Sequence, residues 1–165
     1  MPDDSKRKQV LGLIVWLLIA FSAAAVGGAA SVNSPEFYRQ LDRPAWAPAA
    51  SVFGPVWTVL YAMQGVAAWL VWQRRDTRGA RVALGVFIVQ LTLNGLWTWM
   101  FFAWRQGGLA FAEILVLLAL ILATIVLFWC IRPLAGVLLL PYAGWVAFAS
   151  ALTYAIWQRN PSLLG

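Results

Sequence analysis

Aromatic rings, rather than acids, bases or metal ligands, are the chemically distinctive residues of this sequence. Its 165 residues include 11 Trp, 9 Phe and 4 Tyr, but no His and a single Cys, Cys130. The absence of His excludes His-based acid–base catalysis and His-ligated metals or haem, and one Cys cannot form an intrachain disulfide. No metal-ligand cluster, nucleophile–base pair or glycine-rich phosphate loop is visible. We therefore expect a binding protein with no catalytic acid–base site, no metal and no obligatory cofactor.

One group of rings follows a proline-rich stretch. Phe53, Trp57 and Tyr61 recur at steps of four residues, which places them on one face of a helix. The stretch before them contains Trp46 and Pro48, and its prolines make it a stiff, non-helical approach to that helix. The pattern predicts a rigid lip that leads into an aromatic wall.

Two further groups contain rings beside polar or small residues. Gln90, Asn94, Trp97 and Phe101 lie on one helical stripe, and a carboxamide facing lipid costs roughly a few kcal/mol, so this stripe is expected to face protein. A later segment places four residues on a common face: Trp145, Phe148, Ala149 and Leu152. Together the groups suit a flat, largely apolar ligand with a few polar groups. The same periodicity also fits rings that only pack the core of a helix bundle.

Membrane helices must position these rings. Hydrophobic residues make up 62% of the chain and charged residues 11%, compared with roughly 25% charged residues in soluble domains. Basic residues lie between apolar segments and form no nucleic-acid-binding pattern. Five segments are long enough to span a bilayer, at about 10–30, 52–73, 82–104, 109–131 and 134–157. The prediction is an all-α integral membrane protein, a single five-helix bundle over residues 1–165.

The longest connection, residues 31–51, is predicted to form a lid with a helix of its own. Ser34 is a candidate N-cap, and the Pro-Glu pair after it is typical of a first helical turn, so a short helix is expected from Pro35 to about Leu41. Ser51 is expected to cap the next helix, with Pro55 in its first turn.

Two other segments have alternative interpretations. The first apolar segment, with its basic start and small residues at 22–25, also fits a cleavable signal peptide, although the apolar run continues past that tract. Glu113 lies near the start of the fourth span, where a carboxylate reaching the membrane interface is favoured by the helix dipole. Its alternative role is proton coupling.

The order of the motifs closely resembles the tryptophan-rich sensory protein/translocator protein (TspO, peripheral benzodiazepine receptor) family. The resemblance covers about residues 35–160 and rests on Pro44-x-Trp46-x-Pro48, Gln90-x-x-x-Asn94-x-x-Trp97 and Pro141-Tyr142-x-x-Trp145. It implies a five-helix homodimer that binds porphyrins, sterols and benzodiazepine-type drugs in a pocket covered by the lid. It also implies that Trp57 and Trp145 are pocket tryptophans, with Gln90 and Asn94 at the polar positions.

Departures from the family pattern fall at the lid and the outer end of the pocket. Ala49 stands where many members have a second proline, Phe37 where many have tryptophan, and Thr153 where many have asparagine. These differences imply a different ligand preference. A proposed sterol-contact pattern is matched by Leu152-x-Tyr154-x-x-x-x-Arg159, but such patterns are weak, and a lipid-facing helix end fits it as well.

Three classes of function follow from the residues and the resemblance. The first is a receptor or carrier for porphyrin-like tetrapyrroles, such as protoporphyrin IX or haem, in a bacterial cell membrane. The second is light-dependent porphyrin breakdown through Trp57 and Trp145, since no acid–base pair supports ordinary turnover. The third is a small proton-coupled drug exporter, which would need Glu113 deep in the membrane; its position near the start of a span argues against this.

Charge asymmetry predicts the orientation of the chain. Eight of the 12 basic residues belong to the N-terminal head and the second and fourth connections: Lys6, Arg7, Lys8, Arg74, Arg75, Arg78, Arg81 and Arg132. The other side has only Arg39, Arg43, Arg105 and Arg159. Because basic residues favour the cytoplasmic side, the N-terminus is expected in the cytoplasm and the lid and C-terminus outside. Reporter fusions test this, and a cytoplasmic C-terminus would overturn the assignment or indicate removal of the first span.

Overall fold

Five long helices form the protein. The computed structural model describes the backbone of residues 2–165 and the side chains of residues 6–165. The long helices are α1 (Pro2–Ala30), α3 (Ala50–Trp72), α4 (Ala80–Thr98), α5 (Gly107–Ile131) and α6 (Pro133–Arg159). The short helix α2 (Ser34–Gln40) lies between α1 and α3, and the short helix α7 (Pro161–Leu164) follows α6. All five are long and apolar enough to cross a membrane, and no strand occurs between residues 2 and 165. The predicted all-α five-span fold and the helix within the lid are confirmed.

α4 ends in a widened turn that changes the register of its side chains. Residues Trp99–Ala103 form a π-helical turn, in which the Trp104 N–H donates to the Trp99 carbonyl at 2.8 Å. A π-helical turn contains one residue more than an α-helical turn, so the face that α4 presents advances by about one residue beyond Thr98. Phe101 nevertheless stays on the predicted stripe, because it is buried and its ring stacks on that of Trp97 with centroids 5.3 Å apart.

Two predicted caps are wrong. The Ser34 N–H donates to the Ser31 carbonyl at 3.0 Å, so the chain already turns there, and Ser34 is the first residue of α2 rather than its cap. α3 begins one residue before Ser51, and its N-cap, Ala49, makes no side-chain hydrogen bond. Pro55 consequently lies in the second turn, where it removes the N–H that would have bonded the Ser51 carbonyl.

Small residues let α1 approach its neighbours. At one end of the bundle, Gly65 of α3 packs directly on the backbone of Leu17, and a Cβ placed on Gly65 would lie 3.1 Å from the Leu17 Cα. At the lid end, Gly27 packs beside Thr98 and Gly95 of α4. Small residues of this kind allow close helix–helix contact in membranes, where the hydrophobic effect contributes little to the association of helices.

The Gly65 contact can be tested against a glycine that faces open space. Gly65→Ala is expected to lower the free energy of unfolding by about 1–3 kcal/mol, because the added methyl group overpacks against Leu17. A Cβ on Gly85 of α4 would have no heavy atom within 4 Å. Gly85→Ala is therefore expected to leave the free energy of unfolding unchanged or to raise it by up to about 1 kcal/mol. Thermal unfolding in detergent gives the comparison, and equal effects of the two substitutions would contradict this packing.

Candidate functional site

A cavity of about 490 Å³ lies beneath the lid, between four of the long helices. Its wall is formed by residues from α1, the lid, α3, the C-terminal part of α4 with its π turn, and α6, whereas α5 contributes none: Phe21, Ala24, Gly27, Gly28, Ser31, Ser34, Pro35, Tyr38, Ala50, Phe53, Gly54, Trp57, Thr58, Tyr61, Asn94, Trp97, Thr98, Phe102, Trp145 and Ala149. None of these side chains is charged. The cavity is therefore suited to a small, mostly apolar molecule.

The aromatic side of the cavity follows the face of α3 that the sequence indicated. Phe53, Trp57 and Tyr61 line it one above another, and the Trp57 and Tyr61 ring centroids are 5.5 Å apart. Trp145 of α6 joins this wall through Phe53, with ring centroids 5.9 Å apart and the planes inclined by 73°. Trp57 and Trp145 thus contribute rings from two helices to one cavity.

Polar side chains form the floor of the cavity and continue below it. The Tyr61 hydroxyl donates to Asn94 Oδ1, and both residues line the cavity. Deeper in the bundle, the Tyr142 hydroxyl donates to Gln90 Oε1 at 2.8 Å, and Gln90 Nε2 donates to Gln64 Oε1 at 3.3 Å. Gln90 is therefore engaged with α3 and α6 beneath the cavity, while Asn94 stands in its wall.

Two tryptophans of the wall carry unpaired donors. Trp97 Nε1 and Trp145 Nε1 are both buried, and neither has an acceptor among the side chains and backbone that the structure describes. An unmade hydrogen bond of a buried donor costs about 1–3 kcal/mol. Such unpaired donors are uncommon in native proteins, which distinguishes these two rings from the other tryptophans of the bundle.

The lid rests on the aromatic wall through Tyr38. The Tyr38 hydroxyl donates to the Pro48 carbonyl at 3.0 Å, its ring meets Phe53 at a centroid distance of 5.5 Å, and the Arg43 guanidinium lies 4.7 Å from its centroid. Burial raises the pKa of the Tyr38 hydroxyl, and the hydrogen bond and charge of Arg43 partly oppose that effect. The hydroxyl stays protonated at neutral pH and continues to donate.

A single amide fastens the far end of the lid to α6. The Asp42 N–H donates to Asn160 Oδ1 at 2.8 Å, and Asn160 Nδ2 donates to the Asp42 carbonyl at 2.9 Å and to the Ile156 carbonyl at 2.8 Å. Arg159 adds an ion pair with Asp42 at 3.7 Å, but both side chains are exposed, and such pairs contribute little. We call the pairing of the buried Asn160 amide with the Asp42 backbone the latch. No sequence pattern had singled out Asn160.

Seven of the 13 residues predicted to bind ligand line the cavity, and six lie elsewhere. The Trp46 side chain is 51% exposed and packs edge-on against Phe148, which in turn contacts Trp145. Pro48 supports the lid through its carbonyl, and Gln90 lies beneath the floor. Phe101 and Leu152 are buried in an apolar cluster under the lid; the π turn places Phe102 on the cavity face instead of Phe101.

Sequence reasoning predicted the lid and its helix but named no wall residue from that helix or from α1. Small and hydroxyl residues, among them Ala24, Gly28 and Ser31, form the α1 side of the cavity, together with Phe21. Pro35 and Tyr38 form its roof. Small residues give no amphipathic period, so only the run of Gly and Ala in α1 could have indicated that space is left beside them.

The three residues of the sterol-contact pattern have different surroundings. Leu152 is buried under the lid, whereas the Tyr154 side chain is exposed and packs against Phe111 and Trp157 on the outside of the bundle. Arg159 faces Asp42 of the lid. They do not share one surface, which favours the interpretation of a helix-end feature.

Glu113 does not reach the membrane interface as expected. It lies in the second turn of α5, about 9 Å along the helix from Gly107, and both carboxylate oxygens are buried without a hydrogen-bond partner among the described residues. The residue as a whole is half-buried, but its carboxylate end is covered by protein in a helix that packs chiefly on α6 and α4. Glu113 is also outside the cavity wall.

Comparison with known proteins gives consistent matches along the chain. The model of the TspO/MBR family matches residues 14–158. The human translocator protein is 40% identical over 126 residues, which cover 75% of each chain. The tryptophan-rich protein TspO of Archaeoglobus fulgidus is 32% identical over 92% of this chain and 98% of its own, and the protein CrtK of Rhodobacter capsulatus is 33% identical over 92% and 96%.

The latch can be tested by removing its amide. Asn160→Ala leaves the Asp42 N–H and carbonyl without their partners, and the loss of about 1–3 kcal/mol should speed hydrogen exchange of the Asp42 amide by about tenfold or more. Asn33, in the same connection, makes no side-chain capping bond, so Asn33→Ala is the matched control and should leave exchange unchanged. Mass spectrometry of peptides from the lid reports both, and equal exchange in the two variants would exclude a latch.

Proposed function

The chain belongs to the TspO/MBR family, and we propose that it is a receptor or carrier that binds porphyrin-like tetrapyrroles in the cavity beneath its lid. Membership of this family supports a membrane receptor or transport role. The observation that carries the finer proposal is the cavity itself, about 490 Å³ of uncharged, largely aromatic space. That volume falls within the roughly 300–1,000 Å³ of small-molecule sites.

Wall chemistry favours a flat ligand with hydrogen-bond acceptors. Aromatic rings from α3 and α6 offer faces and edges to a planar molecule. The buried indole N–H groups of Trp97 and Trp145 have no acceptor among the described residues and would pair with a ligand acceptor that reached them. A tetrapyrrole combines an extended flat ring with such acceptors, and sterols or benzodiazepine-type drugs satisfy the same description less completely.

Two alternatives differ in how well the site supports them. Light-dependent porphyrin breakdown is supported by the placement of Trp57 and Trp145 in one wall, because tryptophan is readily oxidised and no acid or base lines the cavity. A proton-coupled exporter is disfavoured, because Glu113 lies outside the wall. The homodimer, the bacterial cell membrane and the cytoplasmic N-terminus are part of the proposal and come from the family resemblance and the charge count.

The two wall tryptophans provide the test of binding. Trp57→Phe and Trp145→Phe keep most of the side-chain volume, and each is expected to weaken protoporphyrin IX binding about tenfold, corresponding to 1.4 kcal/mol of lost ring contact. Trp104→Phe is the control, because Trp104 is 52% exposed and outside the cavity. Fluorescence titration of purified protein gives the affinities. Porphyrin absorbance of samples kept in darkness or illuminated beforehand gives any light-driven loss of porphyrin.

Each outcome separates the candidate functions. Loss of thermal stability in the two wall variants with unchanged porphyrin binding would mean that these rings only pack the core. A light-driven loss of porphyrin that falls further than affinity in both variants would favour breakdown over simple carriage, because phenylalanine is much harder to oxidise than tryptophan.

A further inference from the structure

Charge is divided sharply between the cavity and the lid above it. The polar atoms of the wall belong to hydroxyl, amide and indole groups, and no Lys, Arg, Asp or Glu lines it. In contrast, the guanidinium groups of Arg39, Arg43 and Arg105 all contact residues of the lid helix α2. An acidic ligand would therefore meet positive charge only at the lid.

Arg39 and Arg43 do not line the cavity, but each contacts a residue that does. Arg43 lies over the ring of Tyr38, 4.7 Å from its centroid, and Arg39 Nε donates to the Pro35 carbonyl at 3.1 Å. Tyr38 and Pro35 themselves form the roof of the cavity. Arg105 is further removed, because it stacks on Phe37, which is not a wall residue.

Arg39 and Arg43 have no acidic partner among residues 6–165. Within residues 6–165 the only ion pair joins Arg159 to Asp42. Glu36, the other acid of the lid, lies one helical turn from Arg39 without forming an ion pair. In the part of the chain that the structure describes, Arg39 contacts a backbone carbonyl and Arg43 contacts the ring and hydroxyl of Tyr38, and their remaining donors are free for a ligand.

We propose that Arg39 and Arg43 form a carboxylate-binding subsite at the lid, so that an acidic ligand places its apolar ring in the cavity and its carboxylate edge beneath these arginines. This inference rests on the proposed function and names the orientation and class of the ligand. A carboxylate inside the uncharged wall would lose its hydration without gaining a partner. A guanidinium provides paired N–H donors that match a carboxylate.

The experiment compares protoporphyrin IX with its dimethyl ester, which has the same ring but no carboxylates. The full chain is placed in nanodiscs of neutral phosphatidylcholine, and both affinities are measured by fluorescence titration. We expect wild type to bind the diacid about tenfold more tightly than the diester. Raising the salt concentration should weaken diacid binding, because salt screens the attraction between carboxylate and guanidinium. Arg43→Gln and Arg39→Gln should each lower diacid affinity about fivefold and leave diester affinity unchanged.

Two controls separate charge from folding. Arg78→Gln removes a cation at the opposite end of the bundle, between α3 and α4, and should change neither affinity. Unchanged diester binding in the lid variants shows that their cavity is intact, and Arg43→Lys should recover only part of the diacid affinity, since lysine cannot bind a carboxylate through paired donors.

The possible failures are distinguishable. Equal affinity of wild type for diacid and diester, or equal weakening of both ligands by Arg39→Gln and Arg43→Gln, would overturn the subsite while leaving porphyrin binding in place. Absence of binding for both ligands in wild type would overturn the proposed function, and the subsite with it.

Discussion

The cavity depends on a set of hydrogen bonds that the membrane makes obligatory. Tyr61 bonds Asn94, Tyr142 bonds Gln90, and Gln90 bonds Gln64, so α3, α4 and α6 are joined beneath the cavity. In the apolar interior of a membrane protein no bulk water can replace these partners, and an unpaired carboxamide is costly there. The bonds therefore fix how the three helices are rotated about their axes. That rotation is what turns the aromatic face of α3 and the ring of Trp145 toward one space.

The remaining elements keep that space open and cover it. α1 faces it with small residues such as Ala24 and Gly28, which leave room where larger side chains would fill it. α5 supports α4 and α6 from outside the cavity and supplies no wall residue. The lid is held by a hydrophobic cluster, by Tyr38 and by the buried amide of Asn160. The cavity is therefore the space left between helices whose rotation about their axes is fixed by hydrogen bonds.

The sequence predicts the placement of side chains only where a helix keeps its regular 3.6-residue period. Hydropathy predicts all five spans, and the period of α3 correctly groups Phe53, Trp57 and Tyr61, because that helix is regular throughout. The same reasoning places Phe101 beside Trp97 but does not indicate that Phe102 lines the cavity, because a π turn leaves no compositional signal and shifts the register by about one residue. The α1 wall was missed for a different reason, since small residues create space without an amphipathic pattern. Asn160 acts through a contact 118 residues away in sequence, which no local pattern can reveal.

The chemistry of the lid bears on what could drive ligand exchange. Its main attachments are a neutral amide and a phenol whose pKa burial raises, so neither changes charge near neutral pH. The cavity wall likewise has no ionisable carboxylate or cation. Opening of the lid is therefore not expected to be coupled to proton uptake, as an exporter driven by protons would require. Under the proposed carboxylate subsite, the charge of the ligand would act on the lid through Arg39 and Arg43, which contact the roof residues Pro35 and Tyr38. In a receptor of the proposed kind, such coupling between the charge of the ligand and the lid would let the surface of the protein differ between its empty and occupied states.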